Sequence, residues 1–505
     1  MSPTEGAADP PPGRARGPAI SGPAAAALVF GSSGAVLVVE IVSLRLLAPY
    51  FGLTLEMSTL VIGLALAAIA AGAWLGGRWA DEHDPRLRLG LLLGVSGAVV
   101  AATPFALRGV GGIEGAALVP IVATATIVVP GALLSAVTPM VTKLRLASLD
   151  ETGTVVGRLS GIATVGAIVG TVVTGFFLIS VVPVTWIMVG LGALLAAGGL
   201  AVEIASRRRA ALVAGAVVLV GGLGASLAPS GCDAETKYHC AVVVDDPVRA
   251  DGYVLRLDNL RHSFVDTSDP QYLEFAYVRA LAAAVDSRFE PGAPLEAHHL
   301  GAGGLTLPRY LADTRPGTRS TVSEIDPGVV RIDRERLGLG DVGGLAVRIE
   351  DARLGLRELG DDGLDLVVGD AFGGVSVPWH LATREFVTDV RRVLAQDAMY
   401  AANIIDFPPL AFARAEVATV GTVFEHVALA AEPAALRGEG GGNLVLVASP
   451  VPMDTAAWQA AIDERHLDWE VLDGAALDAW VGDAPVLTDD YAPVDQLLTP
   501  YPSVG

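Results

Sequence analysis

Charge is scarce in this sequence. Of its 505 residues, 18% are Asp, Glu, Lys or Arg, where an ordinary soluble protein carries about 25%. That shortage excludes a single soluble enzyme as an account of the whole chain. Basic residues are the rarer kind: 34 Lys and Arg stand against 55 Asp and Glu, for a formal net charge of −21. Without a basic face, no nucleic-acid partner is expected. Cysteine is nearly absent. The two present, Cys232 and Cys240, are eight residues apart with only His239 beside them. That spacing matches no common zinc pattern, so no metal site is expected. On an oxidising side the pair would close a local disulfide, and on a reducing side it would remain two thiols.

What the chain has in excess is apolar residues, 52% of the total with a mean hydropathy of +0.52. They are unevenly placed. Residues 1–230 hold 13 basic and 11 acidic residues, and residues 231–505 hold 21 and 44. A nearly uncharged apolar half is therefore joined to an acidic, water-soluble half. Residues 1–22 are Pro- and Gly-rich and read as a disordered tail. Residues 23–230 contain seven apolar segments, at 23–44, 58–80, 87–107, 115–138, 158–180, 182–204 and 209–229. Each is close to the roughly 20 residues that cross a bilayer core, so a multi-pass domain in a lipid bilayer is expected. The first run lacks a small-residue cleavage pattern, and no cleavable leader is expected.

Arg14, Arg16, Arg78, Arg86, Arg88, Lys143, Arg145, Arg158, Arg207, Arg208 and Arg209 fall in the tail and alternate loops, on one side. The opposite loops hold Arg45 and Arg108. The positive-inside rule puts the N-terminus in the cytoplasm; seven spans would put the second half outside, and one span fewer would put it in the cytoplasm. Seven spans without an evident inverted repeat fall short of a complete transporter, which a homodimer would supply.

Residues 231–290 carry short alternating runs with turns at Asp246–Pro247 and Asp251–Gly252, a small antiparallel sheet. Residues 291–505 alternate strands and helices, with strands expected at 297–303, 319–326, 345–351, 364–372, 398–406, 426–432 and 443–449. This is a Rossmann-like α/β domain with parallel strands and sites at their carboxyl ends. The first of these strands ends in GAGGLTLPRY (301–310), where Gly301 and Gly303 would let backbone approach a ligand. The sixth position of the dinucleotide pattern is Thr306, not glycine. The next strands end in acids. Glu324 lies 23 residues after Gly301, where a carboxylate accepts from ribose hydroxyls. Asp351 is suited to an adenine amino group, and Asp370 follows in GDAF. The bland alternative is that such acids only cap the next helices.

VSEIDPGVV, the acid at 351, GDAF and VPWHLATREFVTDVRRVL resemble the spermidine synthase (polyamine aminopropyltransferase) family, in particular its bacterial membrane-fused branch. EIVSLRLLAPYFG (40–52), AGAWLGGRWAD (71–81), 152–176 and LTDDYAPVDQL (487–497) are similar to that branch too. The resemblance implies an S-adenosylmethionine-dependent methyltransferase/spermidine synthase fold. It implies transfer of an aminopropyl group from decarboxylated S-adenosylmethionine, a co-substrate, to putrescine or a related polyamine, with no tightly bound cofactor. Asp370 falls on the catalytic base, Glu324 on the ribose ligand, Asp351 on the adenine ligand, and His262 about where a nucleoside-contacting glutamine stands. Tyr272 lies near the family's tyrosine–glutamine element. Two family acids are missing: the one inside the glycine turn is Gly303 or Gly304 here, and the one three residues past the base is Gly373. Asp326, Asp489 and Asp490 are candidates to compensate in binding the amine. Two other functions stay open: a weak or inactive polyamine- or nucleoside-binding domain serving the membrane part, and a methyltransferase using the same nucleoside pocket.

Overall fold

The computed structural model describes residues 20–51, 55–111, 118–146, 151–205, 232–258, 260–374 and 376–499. The chain divides into two compact units, one holding most of the apolar helices and the other Ala48–Met57 with the residues from 232 on. Among the described residues, six helices are long and apolar enough to cross a membrane: Gly22–Ala48, Met57–Glu82, Leu89–Gly109, Val119–Arg145, Thr152–Val181 and Val184–Ile204. They match the first six expected segments; the seventh, 209–229, lies outside the described residues, as does most of the expected tail. Small residues set their spacing. A Cβ on Gly166 would stand 2.3 Å from the Phe30 carbonyl oxygen, and one on Gly97 would stand 2.4 Å from that of Gly192. Close backbone approach is how helices associate in lipid, where burial of apolar side chains gives no advantage over contact with lipid tails.

The second unit begins with the expected antiparallel sheet. Its strands β1 (Ala234–Glu235), β2 (Cys240–Asp245), β3 (Gly252–Leu257) and β4 (Leu260–Asp266) lie in sequence order. Cys232 and Cys240 are disulfide-bonded across its first turn, so the open question of their pairing is answered by a local bridge. The helix Ala276–Arg288 follows.

All seven expected strands of the α/β domain are present. They are β5 (Glu296–Leu300), β6 (Arg319–Glu324), β7 (Leu345–Ile349), β8 (Leu364–Gly369), β9 (Leu394–Asp406), β10 (His426–Ala431) and β11 (Gly442–Ser449). An eighth, β12 (Glu470–Asp473), was not expected; four half-exposed residues give too short a pattern to read. The order is β12-β10-β11-β9-β8-β5-β6-β7. Five strands, β9-β8-β5-β6-β7, are parallel, as expected. The last three correct that expectation: β11 runs antiparallel to β9, and β10 antiparallel to both β11 and β12.

Both faces of the sheet are covered. On one lie Leu356, Phe386, Val390, Phe412 and Val420, and on the other Tyr277, Leu281, Val285, Leu311 and Trp458. Burial on both sides explains the apolar runs in β9, β10 and β11. The chain leaves β5 for β6 and β7 on one side, then returns to β8 on the other. Such a reversal opens a crevice at the carboxyl ends of β5 and β8, the usual ligand position in open α/β sheets.

Candidate functional site

A cavity of about 650 Å³ fills that crevice, walled by the carboxyl ends of β5 to β9, by β4, and by the start of the helix Ala276–Arg288. Its size lies within the range of small-molecule sites. It brings together six of the expected residues: His262, Gly301, Gly303, Glu324, Asp351 and Asp370.

Gly301 is glycine for two reasons. Its φ is +98°, and a Cβ there would lie 2.4 Å from the carbonyl oxygen of Asp370. The turn and the catalytic candidate therefore touch through backbone. Glu324 braces this loop. Its Oε2 accepts from the Ala302 N–H at 2.8 Å and its Oε1 from the Asp326 N–H at 2.7 Å. Burial pushes its carboxyl above the usual range against those two hydrogen bonds. Each oxygen keeps a lone pair for a ligand hydroxyl. Asp351 caps the helix Ala352–Arg357, accepting from the N–H groups of Arg353 and Leu354 through Oδ1, while Oδ2 stands 3.0 Å from His380 Nε2. It is both a cap and part of the cavity wall. His262 is enclosed; burial, then the neighbouring His239, holds its pKa down at about 4, and the imidazole is neutral at pH 7.

Asp370 directly follows β8 and lines the cavity. Its Oδ1 accepts from the Asn403 amide at 2.8 Å and its Oδ2 from the Tyr277 hydroxyl at 3.1 Å. Asn443 in turn donates to Asn403 Oδ1 at 2.9 Å. Burial raises the Asp370 pKa from 3.8 to about 6, with Asn403 and Tyr277 opposing the rise. The group is thus ionised at neutral pH yet close enough in affinity to take a proton, the condition for an efficient general base.

Four expected amine ligands lie elsewhere. Asp326 is an N-cap: its Oδ1 accepts from the Gly328 N–H at 2.8 Å, Thr236 Oγ1 donates to its Oδ2, and the residue is 1% exposed. Asp489 receives two bonds from the Arg353 guanidinium, at 2.8 and 2.7 Å, and one from Thr383 Oγ1 at 2.7 Å. Asp490 is exposed in the turn closed by Thr488 and Tyr491. Tyr272 lies under Arg249, with the guanidinium carbon 3.7 Å from its ring centroid, and donates to Glu274 Oε2 at 2.5 Å. It lines a neighbouring cavity of about 560 Å³ that shares Glu274 and Arg279 with the first.

Tyr277, Asn403, Asn443, His239, His380 and Glu274 line the main cavity and escaped the sequence reading. Only Asn403 carried a usable signal, as the one polar residue in AMYAANII. The missing acid in the glycine turn also has a structural counterpart. At Gly304 a Cβ would stand 2.5 Å from Ser263 Oγ and from Val265 Cγ2, so β4 fills the space a side chain would need there, whereas at Gly303 the nearest atom would be 3.9 Å away.

No family model matches the chain. A polyamine aminopropyltransferase of Vibrio vulnificus is 30% identical over 139 residues, which is 27% of this chain and 46% of the relative. The chain thus spans about half the length of the curated relative it matches. Among solved structures, a probable spermidine synthase from Corynebacterium glutamicum is 28% identical. It is matched over 52% of this chain and 97% of its own, with a TM-score of 0.49. The spermidine synthase of Thermotoga maritima is 18% identical over 42% of this chain and 69% of its own, with a TM-score of 0.31. Human methyltransferase-like protein 13 is 19% identical over 44% and 100%, with a TM-score of 0.33. By class, the second unit is a Rossmann-like α/β domain with a small N-terminal β-sheet. In family, the chain resembles the spermidine synthases, as its motifs implied.

Proposed function

We propose that this chain is a membrane-anchored aminopropyltransferase, using decarboxylated S-adenosylmethionine as co-substrate and putrescine or a related amine as acceptor. The observation that carries the reading is Asp370, placed at the switch point between β5 and β8 and held between Tyr277 and Asn403. Glu324 takes the ribose hydroxyls, Asp351 the adenine amino group, and His262 the nucleoside wall. The acceptor nitrogen attacks the carbon beside the sulfonium. The carbon–sulfur bond breaks with its electron pair going to sulfur, and the proton of the attacking amine passes to Asp370. Such a displacement needs chiefly alignment and a proton acceptor, both within reach of one rigid crevice. Glu274, on the same wall, replaces Asp326, Asp489 and Asp490 as the carboxylate available to a second ammonium.

Six apolar helices support the membrane anchor, and the loop charges support a cytoplasmic N-terminus. The second reading, a binding domain without turnover that serves the membrane part, draws on the Cys232–Cys240 disulfide. Disulfides persist on oxidising sides, where a cytosolic donor is absent. The test is incubation of the detergent-purified full chain with decarboxylated S-adenosylmethionine and an acceptor panel, with methylthioadenosine and the alkylated amine measured together. Stoichiometric release of both is expected. Nucleoside binding without either product would leave the second reading in place.

A further inference from the structure

We infer that the acceptor carries a carboxylate beside its amines, and is a diamino acid and not a plain diamine. This rests on the proposed reading that the cavity holds an adenosyl donor with Asp370 as base. Sheet order gives the cavity two ends. Glu324 on β6 and Asp351 after β7 mark the nucleoside end, while Asp370, Asn403 and Asn443, on or after β8, β9 and β11, mark the other. The first turn of the helix Ala276–Arg288 stands at this second end, tied to it by the Tyr277–Asp370 hydrogen bond.

Two arginines line the cavity from that side, Arg279 at its boundary with the neighbouring cavity, which it also lines. Arg279 is on this helix, two residues beyond Tyr277. Arg261 is on β4, with its guanidinium carbon 5.3 Å from the ring centroid of Phe275. Among the described residues, neither forms an ion pair with a carboxylate. Arg279 gives Nη1 to the Arg465 carbonyl at 3.3 Å, and its Nε is buried without a hydrogen-bond partner. The relatives' acids, meanwhile, are replaced by Gly303 or Gly304 and by Gly373. An acceptor bearing only ammonium groups would meet two uncompensated cations here. A carboxylate answers them with charge-assisted, bidentate geometry that guanidinium favours. A diamino acid then matches the wall in full: its attacking amine at Asp370, its second ammonium at Glu274, its carboxylate at Arg279 and Arg261.

The test compares putrescine with ornithine, which is putrescine plus one carboxylate, on the full chain in detergent saturated with methylthioadenosine. Calorimetry should show ornithine binding roughly tenfold or more tightly, the low end for a hydrogen bond to a charged group. Arg279→Gln should abolish that preference, and Arg261→Gln, at an exposed position, should reduce it; methylthioadenosine affinity serves as the folding control. Equal or tighter binding of putrescine, or a preference that survives both substitutions, overturns the inference and leaves the aminopropyltransferase reading intact. Failure of methylthioadenosine to bind at all removes the adenosyl reading and the inference with it.

Discussion

Asp370→Asn separates a catalytic carboxylate from a structural one, because the two roles move stability in opposite directions. The fold raises the Asp370 pKa from 3.8 to about 6. At about 1.4 kcal/mol for each tenfold change in proton affinity, carrying that charge at pH 7 costs the folded state roughly 3 kcal/mol. Asparagine keeps the shape and removes the charge, but its amide nitrogen only donates, so either Tyr277 or Asn403 loses the oxygen it gives to, and one lost hydrogen bond costs about 1 kcal/mol. The variant should therefore be more stable at pH 7, by roughly 1–2 kcal/mol, which for a domain of this size is a melting temperature several degrees higher. The sign follows from linkage. A carboxyl with a raised folded-state pKa favours folding in its protonated form, so the penalty is absent below about 3.8 and fully present above about 6. The melting difference should shrink as pH falls through that window. Turnover should drop roughly 100-fold or more, and the residual rate should rise with pH as solution deprotonation of the amine replaces the base. Thermal melts in detergent from pH 4 to 8, with transfer assays normalised to folded protein, read both quantities. A lower melting temperature with unchanged turnover would refute the argument and make Asp370 a brace for its neighbours.

Tyr277→Phe removes one of the two donors that hold the Asp370 proton affinity down, so the acid limb of kcat/KM should move to higher pH by up to about one unit; an unmoved profile would separate Tyr277 from the base. Glu324→Gln should weaken methylthioadenosine binding roughly 10- to 100-fold by calorimetry, and unchanged affinity would reduce Glu324 to the loop brace its bonds to Ala302 and Asp326 already make it. Asp489→Asn should cost about 1–2 kcal/mol by breaking the bidentate pair with the buried Arg353, with no change in nucleoside affinity. Replacing Cys232 and Cys240 by serine should cost roughly 2–3 kcal/mol, and alkylation of the native membrane preparation without reductant should label neither cysteine.

The parts of this fold that sequence discloses are those fixed by local pattern. Apolar runs announce β9, β10 and β11 because both faces of the sheet are covered, and short runs between Asp-Pro and Asp-Gly turns announce the small sheet. The direction of a strand has no local pattern. The helix Ala411–Gly421 after β9 does cross to a strand of β9's own direction, β10, but nothing in the sequence says that β11 then returns antiparallel between the two. The same distinction governs the site. Acids at successive strand ends were legible because strand ends converge in an open sheet, and Glu324, Asp351 and Asp370 do converge. Asp326 and Asp489 were chosen by charge alone, and charge does not say what an acid faces: one holds a helix N-terminus and the other a buried arginine. Tyr277 was missed for the opposite reason. It sits on the buried face of an alanine-rich helix, where a tyrosine reads as core, and only its hydroxyl reaches Asp370, 93 residues away in the chain. Contacts of that separation are set by how the helix lies on the sheet, which no stretch of sequence around either residue records.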